Sequence, residues 1–379
     1  MFVSFDEALT FLTTQKENPK YNLENIIAAA KLLWHPERSF KSIHITWTNG
    51  KGSVSRMVYQ ILKEAGYSVG IFLSPHLIDV RERFVVDDTW IDDESFIEIQ
   101  NTLSNLNVPM SRFEKYVLTA FLYFQKKQVD YAVIEVWVWA KNDATNILIP
   151  EVSVITYIGL DHPKTLWTTL EEVAMHKSAI IKPWKPVVVG TAYPLLQEVA
   201  QKNNSPLVVS DTLVQTNLIG EFQKKNAWIA YEVGKLLWIS EPIIKSWLQK
   251  VQHKGRLQYV LPNLLVDGAH NPDWLESLKK YIATISFSFE KVVLCFWLKK
   301  EREVSRITDV FWNVENYCIV NYWQQILEPP ENLVFQMKEK NIETMLLAPE
   351  EIHLMAKKEP HTLFVVFGSL YMIGQFLKD

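Results

Sequence analysis

Glycine and cysteine are both scarce in this chain of 379 residues. It contains 12 glycines, which is about 3% of the chain, whereas proteins average about 7%. It contains two cysteines, Cys295 and Cys318. Two cysteines cannot build a disulfide scaffold, and such low usage is typical of a reducing cytosol. We therefore expect a cytoplasmic protein.

An excess of basic charge and long apolar runs are also absent from the sequence. The formal net charge is −4, which gives no sign of a nucleic-acid partner. No apolar run approaches the roughly 20 residues of a membrane span. The first residues carry acid early, without the basic region and apolar stretch of a signal peptide. These absences therefore point to neither a nucleic-acid partner nor a membrane partner.

What the sequence does contain is an alternation of β-rich runs and amphipathic stretches. Predicted strands lie at 42–46, 68–73, 131–136, 152–158 and 187–189, and predicted helices at 53–63, 112–126 and 170–181. The runs at 131–136 and 152–158 are almost continuously apolar, as expected for strands buried on both faces. This βαβ pattern predicts an α/β fold with a P-loop-type, doubly wound, mostly parallel sheet.

A second domain is predicted from the point where the alternation restarts. Two helices at 222–237 and 242–251 precede a short polar segment. Strands are then predicted at 264–266, 292–296, 317–320 and 362–367, with helices at 272–282 and 350–357. The length of the chain also favours two domains. We place them at residues 1–254 and 255–379, the second being a smaller α/β domain.

The strongest local motif follows the first predicted strand and reads Thr48, Asn49, Gly50, Lys51, Gly52, Ser53. In such a loop, glycines let backbone N–H groups turn towards phosphate oxygens. The lysine supplies a positive charge, and the serine hydroxyl lies at the helix N-terminus. The alternative is an ordinary strand-to-helix turn with an exposed lysine. The strand–loop–helix context favours nucleotide binding by all six residues.

The spelling of this loop, together with later blocks, resembles the folylpolyglutamate synthase and dihydrofolate synthase family of the Mur ligase superfamily. Residues 70–83 read GIFLSPHLIDVRER, and residues 267–272 read DGAHNP. Further similar blocks lie, in family order, at 135–146, 158–162, 170–183, 255–258 and 368–371. The resemblance implies an ATP-binding Mur-ligase-like central domain followed by a Mur-ligase-like C-terminal domain, in a monomer.

This resemblance also implies a reaction. ATP would phosphorylate the carboxylate of a folate or of dihydropteroate, and the amine of L-glutamate would displace the phosphate, with Mg²⁺ as cofactor. Three alternatives stay open: another Mur-type amino-acid ligase, a non-catalytic nucleotide-binding protein, and a P-loop NTPase that acts on a partner. The block at 74–77, SPHL, argues against other Mur-type ligases.

The magnesium ligands implied by the resemblance are Ser74, Glu135 and His162. Oxygen ligands of this kind suit Mg²⁺. Glu135 could instead be a carboxylate at a strand end that faces solvent, and His162 could be a histidine held within a turn.

Catalytic and nucleotide-binding roles are implied for five further residues. Lys51 would bind the terminal phosphates. Lys177 would be a carbamylated lysine near the metal, although an ordinary surface lysine is the alternative. Arg256 would reach the nucleotide phosphates, and Asp267 and His270 would meet ATP and the incoming glutamate.

Tryptophan is abundant where the family has glycine. The chain has 14 tryptophans, and eight of them fall at family glycine positions: Trp34, Trp47, Trp137, Trp139, Trp167, Trp184, Trp274 and Trp297. Trp47 opens the phosphate loop, where a side chain would block the approach of phosphate. Our hypothesis is that UGA codons, which some genetic codes reassign, encode glycine at these positions. A paralogue that has lost its function is the competing explanation, but Lys51 and Asp267 are intact.

Two departures from the family pattern concern other residues. Ala140 and Lys141 stand where the family has glycine and arginine, and lysine does not replace arginine at a bidentate site. An acceptor contact there is therefore in doubt. The stretch 207–223 is short, which indicates that a small β subsheet is trimmed.

Overall fold

The computed structural model describes residues 1–14, 22–46, 49–137, 140–157, 169–210, 212–300, 304–322 and 327–377. Within these residues the chain forms two compact units. Unit 1 comprises Met1–Pro75 and Val80–Gln252, and unit 2 comprises His76–Asp79 and His253–Asp379. The domain boundary after residue 254 stays a prediction that lies close to this division.

Unit 1 is built on an eight-stranded sheet. In chain order its strands are β1 Lys41–Thr46, β2 Val69–Phe72, β3 Phe84–Val86, β4 Thr89–Trp90, β5 Tyr131–Glu135, β6 Val152–Ile155, β7 Val187–Val189 and β8 Leu207–Val209. Their order across the sheet is β4-β3-β2-β5-β1-β6-β7-β8. Across the sheet, neighbouring strands pair in parallel from β2 through β5, β1, β6 and β7 to β8. Strand β3 pairs antiparallel with both β2 and β4. The carboxyl ends of β1, β5 and β6 therefore lie side by side at one edge.

The helices of unit 1 are α1 Phe5–Thr13, α2 Glu24–Leu32, α3 Lys51–Glu64, α4 Asp93–Ser104, α5 Arg112–Lys126, α6 Leu170–Ser178, α7 Pro194–Lys202, α8 Glu221–Leu236 and α9 Glu241–Leu248. Capping residues fix the N-termini of two of these helices. Ser111 and Glu114 form a reciprocal capping box at α5, and Thr169 and Glu172 form one at α6. Such boxes satisfy backbone donors that the helix leaves unpaired.

The sheet of unit 1 buries both faces, as its apolar strands predict. In β5, Ala132 and Ile134 pack into one apolar cluster, while Tyr131 and Val133 pack into another. Alternate residues of a strand point to opposite faces, so the two clusters lie on the two sides of the sheet. In the part of the chain that is described, no helix combines the length and apolarity needed to cross a membrane.

Unit 2 is built on a six-stranded sheet. Its strands are β9 Gln258–Leu261, β10 Leu264–Asp267, β11 Lys291–Phe296, β12 Asn316–Val320, β13 Thr344–Leu347 and β14 Thr362–Phe367. Their order is β13-β12-β11-β14-β10-β9, with only β9 antiparallel. Its helices are α10 Pro272–Ile285, α11 Ser305–Val310, α12 Pro330–Glu339, α13 Pro349–Lys358 and α14 Leu370–Phe376.

The predicted fold class is confirmed, with differences at particular elements. Helix α5 and strand β14 have the predicted bounds. Helix α3 begins at Lys51 rather than residue 53, and α6 ends at Ser178 rather than residue 181. The antiparallel β3–β4 hairpin was not predicted, because two strands of three and two residues carry too little periodicity.

Candidate functional site

The phosphate-loop candidate lies between β1 and α3. Trp47 and Thr48 lie outside the described residues, and Asn49 and Gly50 lead into the helix. Gly50 is the N-cap with φ +90°, no side chain of the described residues caps the helix, and its first turn holds no acidic residue. The N-terminus of a helix attracts anions through its N–H groups and its dipole. The structure of this turn therefore suits a phosphate.

Helix α8 packs against this loop through two buried side chains that our sequence analysis did not single out. Gln223 donates to Ser53 Oγ at 3.2 Å, and Asn226 donates to Gln223 Oε1 at 2.9 Å. A Cβ on Gly50 would lie 2.5 Å from Asn226 Oδ1. Glycine is thus needed at Gly50 for two reasons, its positive φ and this close approach. Two polar residues spaced three positions apart, and therefore on one face of the helix, were the signal available in the sequence.

The end of β6 fixes the other side of the loop. The buried hydroxyl of Thr156 donates to the carbonyl oxygen of Asn49 at 2.8 Å. Gly190, after β7, approaches so closely that a Cβ there would lie 1.6 Å from the Thr156 carbonyl oxygen. Thr156 therefore holds the backbone of Asn49, and the segment after β7 packs closely against Thr156.

A buried carboxylate and a lysine meet beside the loop. Glu135 ends β5 and is 4% exposed, which rejects a solvent-facing carboxylate. Lys51 Nζ lies 3.7 Å from Glu135 Oε1 and donates to the carbonyl oxygen of Trp137 at 3.2 Å. The backbone N–H of Ser74 donates to Glu135 Oε2 at 3.2 Å. Residues predicted from separate motifs, 51, 74 and 135, therefore come together.

Magnesium is the ion that this arrangement fits. The hydroxyl oxygen of Ser74 is buried and has no hydrogen-bond partner among the described residues. An orphaned hydroxyl oxygen beside a carboxylate offers two of the hard oxygen ligands that Mg²⁺ prefers. The third predicted ligand, His162, lies outside the described residues. Among the residues that the structure does describe, no group of three His, Cys, Asp or Glu could hold a metal.

Lys177 is buried, with 4% exposure in helix α6, so it is not a surface lysine. Its positive charge acts on Asp143. Burial raises the pKa of Asp143 above its ordinary value, and hydrogen bonds from Thr145 and Trp137, together with the charge of Lys177, offset part of this rise. Asp143 accepts from the Trp137 N–H at 3.0 Å and so fixes the segment that follows Glu135. Sequence reasoning assigned Asp143 no role, although it lies in the motif at 135–146.

In unit 2, three predicted residues gather near the start of α10. Burial raises the pKa of Asp267 to about 6, although the positive charge of Arg256 acts to lower it. The carboxylate accepts from the N–H groups of Leu257 and Ala269, each at 2.8 Å. The Arg256 guanidinium lies 4.0 Å from the centre of the Trp274 ring. His270 Nδ1 is 2.7 Å from the Gly268 carbonyl oxygen, which orients the imidazole.

These features define a class of protein. A parallel α/β sheet with an uncapped glycine turn, a lysine, a buried glutamate and a second α/β unit is the architecture of the Mur-type ligases. The model of the Mur ligase middle domain matches residues 45–210.

Comparison with known proteins narrows this class to one family. The dihydrofolate synthetase of Saccharomyces cerevisiae is 30% identical, over 94% of this chain and 97% of its own length. The dihydrofolate synthase/folylpolyglutamate synthase of Bacillus subtilis is 26% identical, over 100% of this chain and 99% of its own. The folylpolyglutamate synthase structure from Thermotoga maritima superposes with a TM-score of 0.82, at 28% identity, covering 98% of this chain and 96% of that one. The chain belongs to the folylpolyglutamate and dihydrofolate synthase family.

Proposed function

We propose that this chain is an ATP-dependent ligase that joins L-glutamate to the carboxylate of a folate, of dihydropteroate, or of both. The observation that carries the proposal is the meeting of Lys51, Glu135 and the unpaired Ser74 hydroxyl beside an uncapped helix N-terminus. Membership of the synthase family supports it.

The reaction has two chemical steps. The acceptor carboxylate attacks the terminal phosphorus of ATP, which gives an acyl phosphate and ADP. The amine of glutamate then attacks the acyl carbon, so that the C–N bond forms, the C–O bond to phosphate breaks, and the amine loses a proton. Negative charge develops at the phosphates in the first step, and fixed positive charge and backbone N–H groups stabilise it.

Residues of unit 1 supply these groups. Lys51 places its charge next to the phosphate turn, and Gln223 holds the Ser53 hydroxyl in position. Glu135 and Ser74 would hold Mg²⁺, with His162 as the third ligand that the resemblance implies. A bound magnesium ion would neutralise phosphate charge.

The roles of the remaining predicted residues also belong to this proposal. Thr48, Asn49, Gly50 and Gly52 would cradle phosphate, and Lys177 would act beside the metal. In unit 2, Arg256 would bind nucleotide phosphate, and Asp267 and His270 would serve ATP and glutamate. The buried Asp267 carboxylate and the oriented His270 ring are prepared for such contacts.

Location and assembly are further proposals. We propose that the protein works as a cytoplasmic monomer without nucleic-acid or membrane partners. Cys295 and Cys318 are buried directly opposite each other on the paired strands β11 and β12, and both are free thiols. Free thiols at neighbouring positions support a reducing compartment.

The test is ADP release from protein in which glycine replaces all 14 tryptophans, with tetrahydrofolate or dihydropteroate as acceptor, and with and without glutamate. We expect release to require glutamate and at least one acceptor, and the acceptor that supports it names the substrate. Lys51→Ala should lower the rate by about 100-fold or more. Lys63→Ala, at the other end of α3, is the control and should leave the rate unchanged.

Two results would contradict the proposal. Release without glutamate would indicate an NTPase that acts on a partner. Nucleotide binding without release, with either acceptor, would point to a different Mur-type ligase or to a non-catalytic protein.

A further inference from the structure

Three tryptophans adopt a backbone conformation that a bulky residue rarely occupies. Trp34, Trp184 and Trp238 have φ values of 61°, 65° and 61°. This left-handed region costs an L-residue free energy because Cβ crowds the following carbonyl. Glycine lacks Cβ and occupies the region freely.

The first position, Trp34, lies just beyond the C-cap of α2. Its N–H donates to the Lys31 carbonyl at 3.2 Å, and the N–H of His35 donates to the Ala30 carbonyl at 2.8 Å. These two bonds constitute a Schellman motif, in which the left-handed residue is usually glycine.

The second position, Trp238, repeats the motif at the end of α8. Its N–H donates to the Lys235 carbonyl at 3.0 Å, and the N–H of Ile239 donates to the Gly234 carbonyl at 3.0 Å. Both helices thus end in a turn whose central residue must be left-handed.

Other helices of the same chain show which residues this turn accepts. Helix α3 ends in the same pair of hydrogen bonds, with Gly66 at φ 89° in the central position. Three more helices end in this way with polar residues in the left-handed position: Gln128, Asn204 and Asn341. Asparagine is the usual second choice there. Tryptophan has no such local compensation.

The third position, Trp184, lies in a tight turn. The N–H of Lys185 donates to the Lys182 carbonyl at 3.2 Å, with Pro183 and Trp184 between them. Proline in the first central position and a positive φ in the second define a type II turn, which requires glycine or asparagine in the second.

The side chains at these positions give no reason to select tryptophan. Trp34, Trp184 and Trp238 are 89%, 73% and 94% exposed. Within the described part of the chain, no hydrogen bond or ring contact of these three indoles is found. By contrast, Trp297 is buried and donates its Nε1–H to the Glu328 carbonyl at 2.7 Å. A large, strained and exposed apolar side chain without contacts lowers stability and solubility.

We propose that the native protein carries glycine at positions 34, 184 and 238, because the codon behind these tryptophans is read as glycine where the protein is made. UGA is the codon that fits, since one base separates it from a glycine codon and some genetic codes reassign it. The composition agrees: the chain has 14 tryptophans and 12 glycines. Glycine at every tryptophan position would bring its share to about 7%, the average value.

The deciding experiment is tandem mass spectrometry of the protein purified from the cells that make it naturally. Peptides that span positions 34, 184 and 238 should show glycine at all three, and the gene should carry UGA there. Tryptophan at any of the three positions would overturn the proposal.

A second experiment measures the backbone strain in recombinant protein that carries the tryptophans. Trp238→Gly should raise Tm by a few degrees, on the order of 3 °C. Trp238→Ala removes the same indole but keeps Cβ, so it should give little of this gain. Asn341→Gly, in the same motif, is the matched control and should leave Tm nearly unchanged, because asparagine tolerates the conformation.

Equal Tm values for Trp238→Gly and Trp238→Ala would show that the backbone does not favour glycine there. That result would remove the structural basis of the proposal.

Discussion

His44 is a fully buried histidine in the middle of β1. Its Nε2 lies 2.8 Å from Thr145 Oγ1, and its Nδ1 has no hydrogen-bond partner in the described part of the chain. Burial, with the charge of Lys182, lowers the pKa of His44 from 6.5 to about 3. The folded state therefore holds this imidazole neutral, whereas the unfolded state protonates it below about pH 6.5.

Acid should weaken unit 1 through this residue. The folded pKa lies below the unfolded pKa, so the contribution of His44 is present above about pH 6.5 and is lost as pH falls towards 3. We expect the free energy of unfolding to drop by about 1 kcal/mol between about pH 7 and pH 5.5, and His44→Gln to remove that drop. Chemical unfolding at the two pH values checks this. An unchanged drop in the variant would assign it to other groups.

Ser74 allows a metal-binding role to be separated from a structural one. Removal of a buried hydroxyl without a partner costs little stability. We expect Ser74→Ala to keep the unfolding free energy of the parent and to raise the magnesium concentration needed for half-maximal ADP release, on the order of 10-fold.

The control is Ser55→Ala, because Ser55 also buries a hydroxyl that no described residue pairs with, but lies within α3. It should change neither stability nor the magnesium requirement. Equal magnesium requirements in both variants would contradict a ligand role for Ser74.

At the scale of elements, the turn between β1 and α3 depends on a helix that is far away in the sequence. Helix α8 reaches this turn through Gln223 and Asn226. Gln223 lies 170 positions beyond Ser53, to which it donates. The sequence motif predicted the turn itself, because glycine, lysine and serine at this spacing follow a strand. It could not predict the contact with α8, because that contact depends on how the two helices pack.

A pair of glycine variants tests this packing. Gly50 and Gly66 have φ values of 90° and 89°, but a Cβ would meet Asn226 only at Gly50 and would meet nothing within 4 Å at Gly66. We expect Gly66→Ala to cost about 1–2 kcal/mol of unfolding free energy, from φ alone. Gly50→Ala should cost more and raise KM for ATP by about tenfold or more. Equal costs and an unchanged KM would show that Asn226 yields without consequence.

The bounds of helices and strands were predicted most accurately where apolar residues recur with a regular period. Helix α5 has a capping box and a regular apolar stripe, and its bounds were predicted correctly. Helix α3 was predicted to begin two residues late, because Lys51 and Gly52 contribute no apolar periodicity. The short strands β3, β4 and β8 have two or three residues each and could not be distinguished from loop.

At the scale of the whole molecule, each unit has its own sheet and its own buried titratable group. His44 lies in unit 1 and Asp267 in unit 2. Because burial raises the pKa of Asp267 from 3.8 to about 6, its effect on stability has the opposite sign to that of His44. The unfolded carboxyl ionises first as pH rises, so unit 2 loses stability between about pH 4 and pH 6.

Calorimetry should resolve these opposite effects. Two units with separate sheets need not unfold in one step, and we expect two transitions. In Asp267→Asn, the transition of unit 2 should lose its pH dependence, a difference of about 2 kcal/mol between about pH 4 and pH 6. The transition of unit 1 should be unaffected. A single transition that responds to both His44→Gln and Asp267→Asn would contradict independent unfolding.

By itself, the sequence determined the βαβ alternation, the phosphate turn and the family, because apolar periodicity and short motifs are local. It also predicted that Ser74 and Glu135 act together, through family resemblance. Only the tertiary structure showed that Lys51, Glu135 and the unpaired Ser74 hydroxyl meet, that Gln223 and Asn226 support the turn, and that Trp34, Trp184 and Trp238 occupy left-handed backbone. The first two facts depend on strand order and helix packing, which long-range contacts decide, and the third depends on backbone angles that the pattern of side chains does not specify.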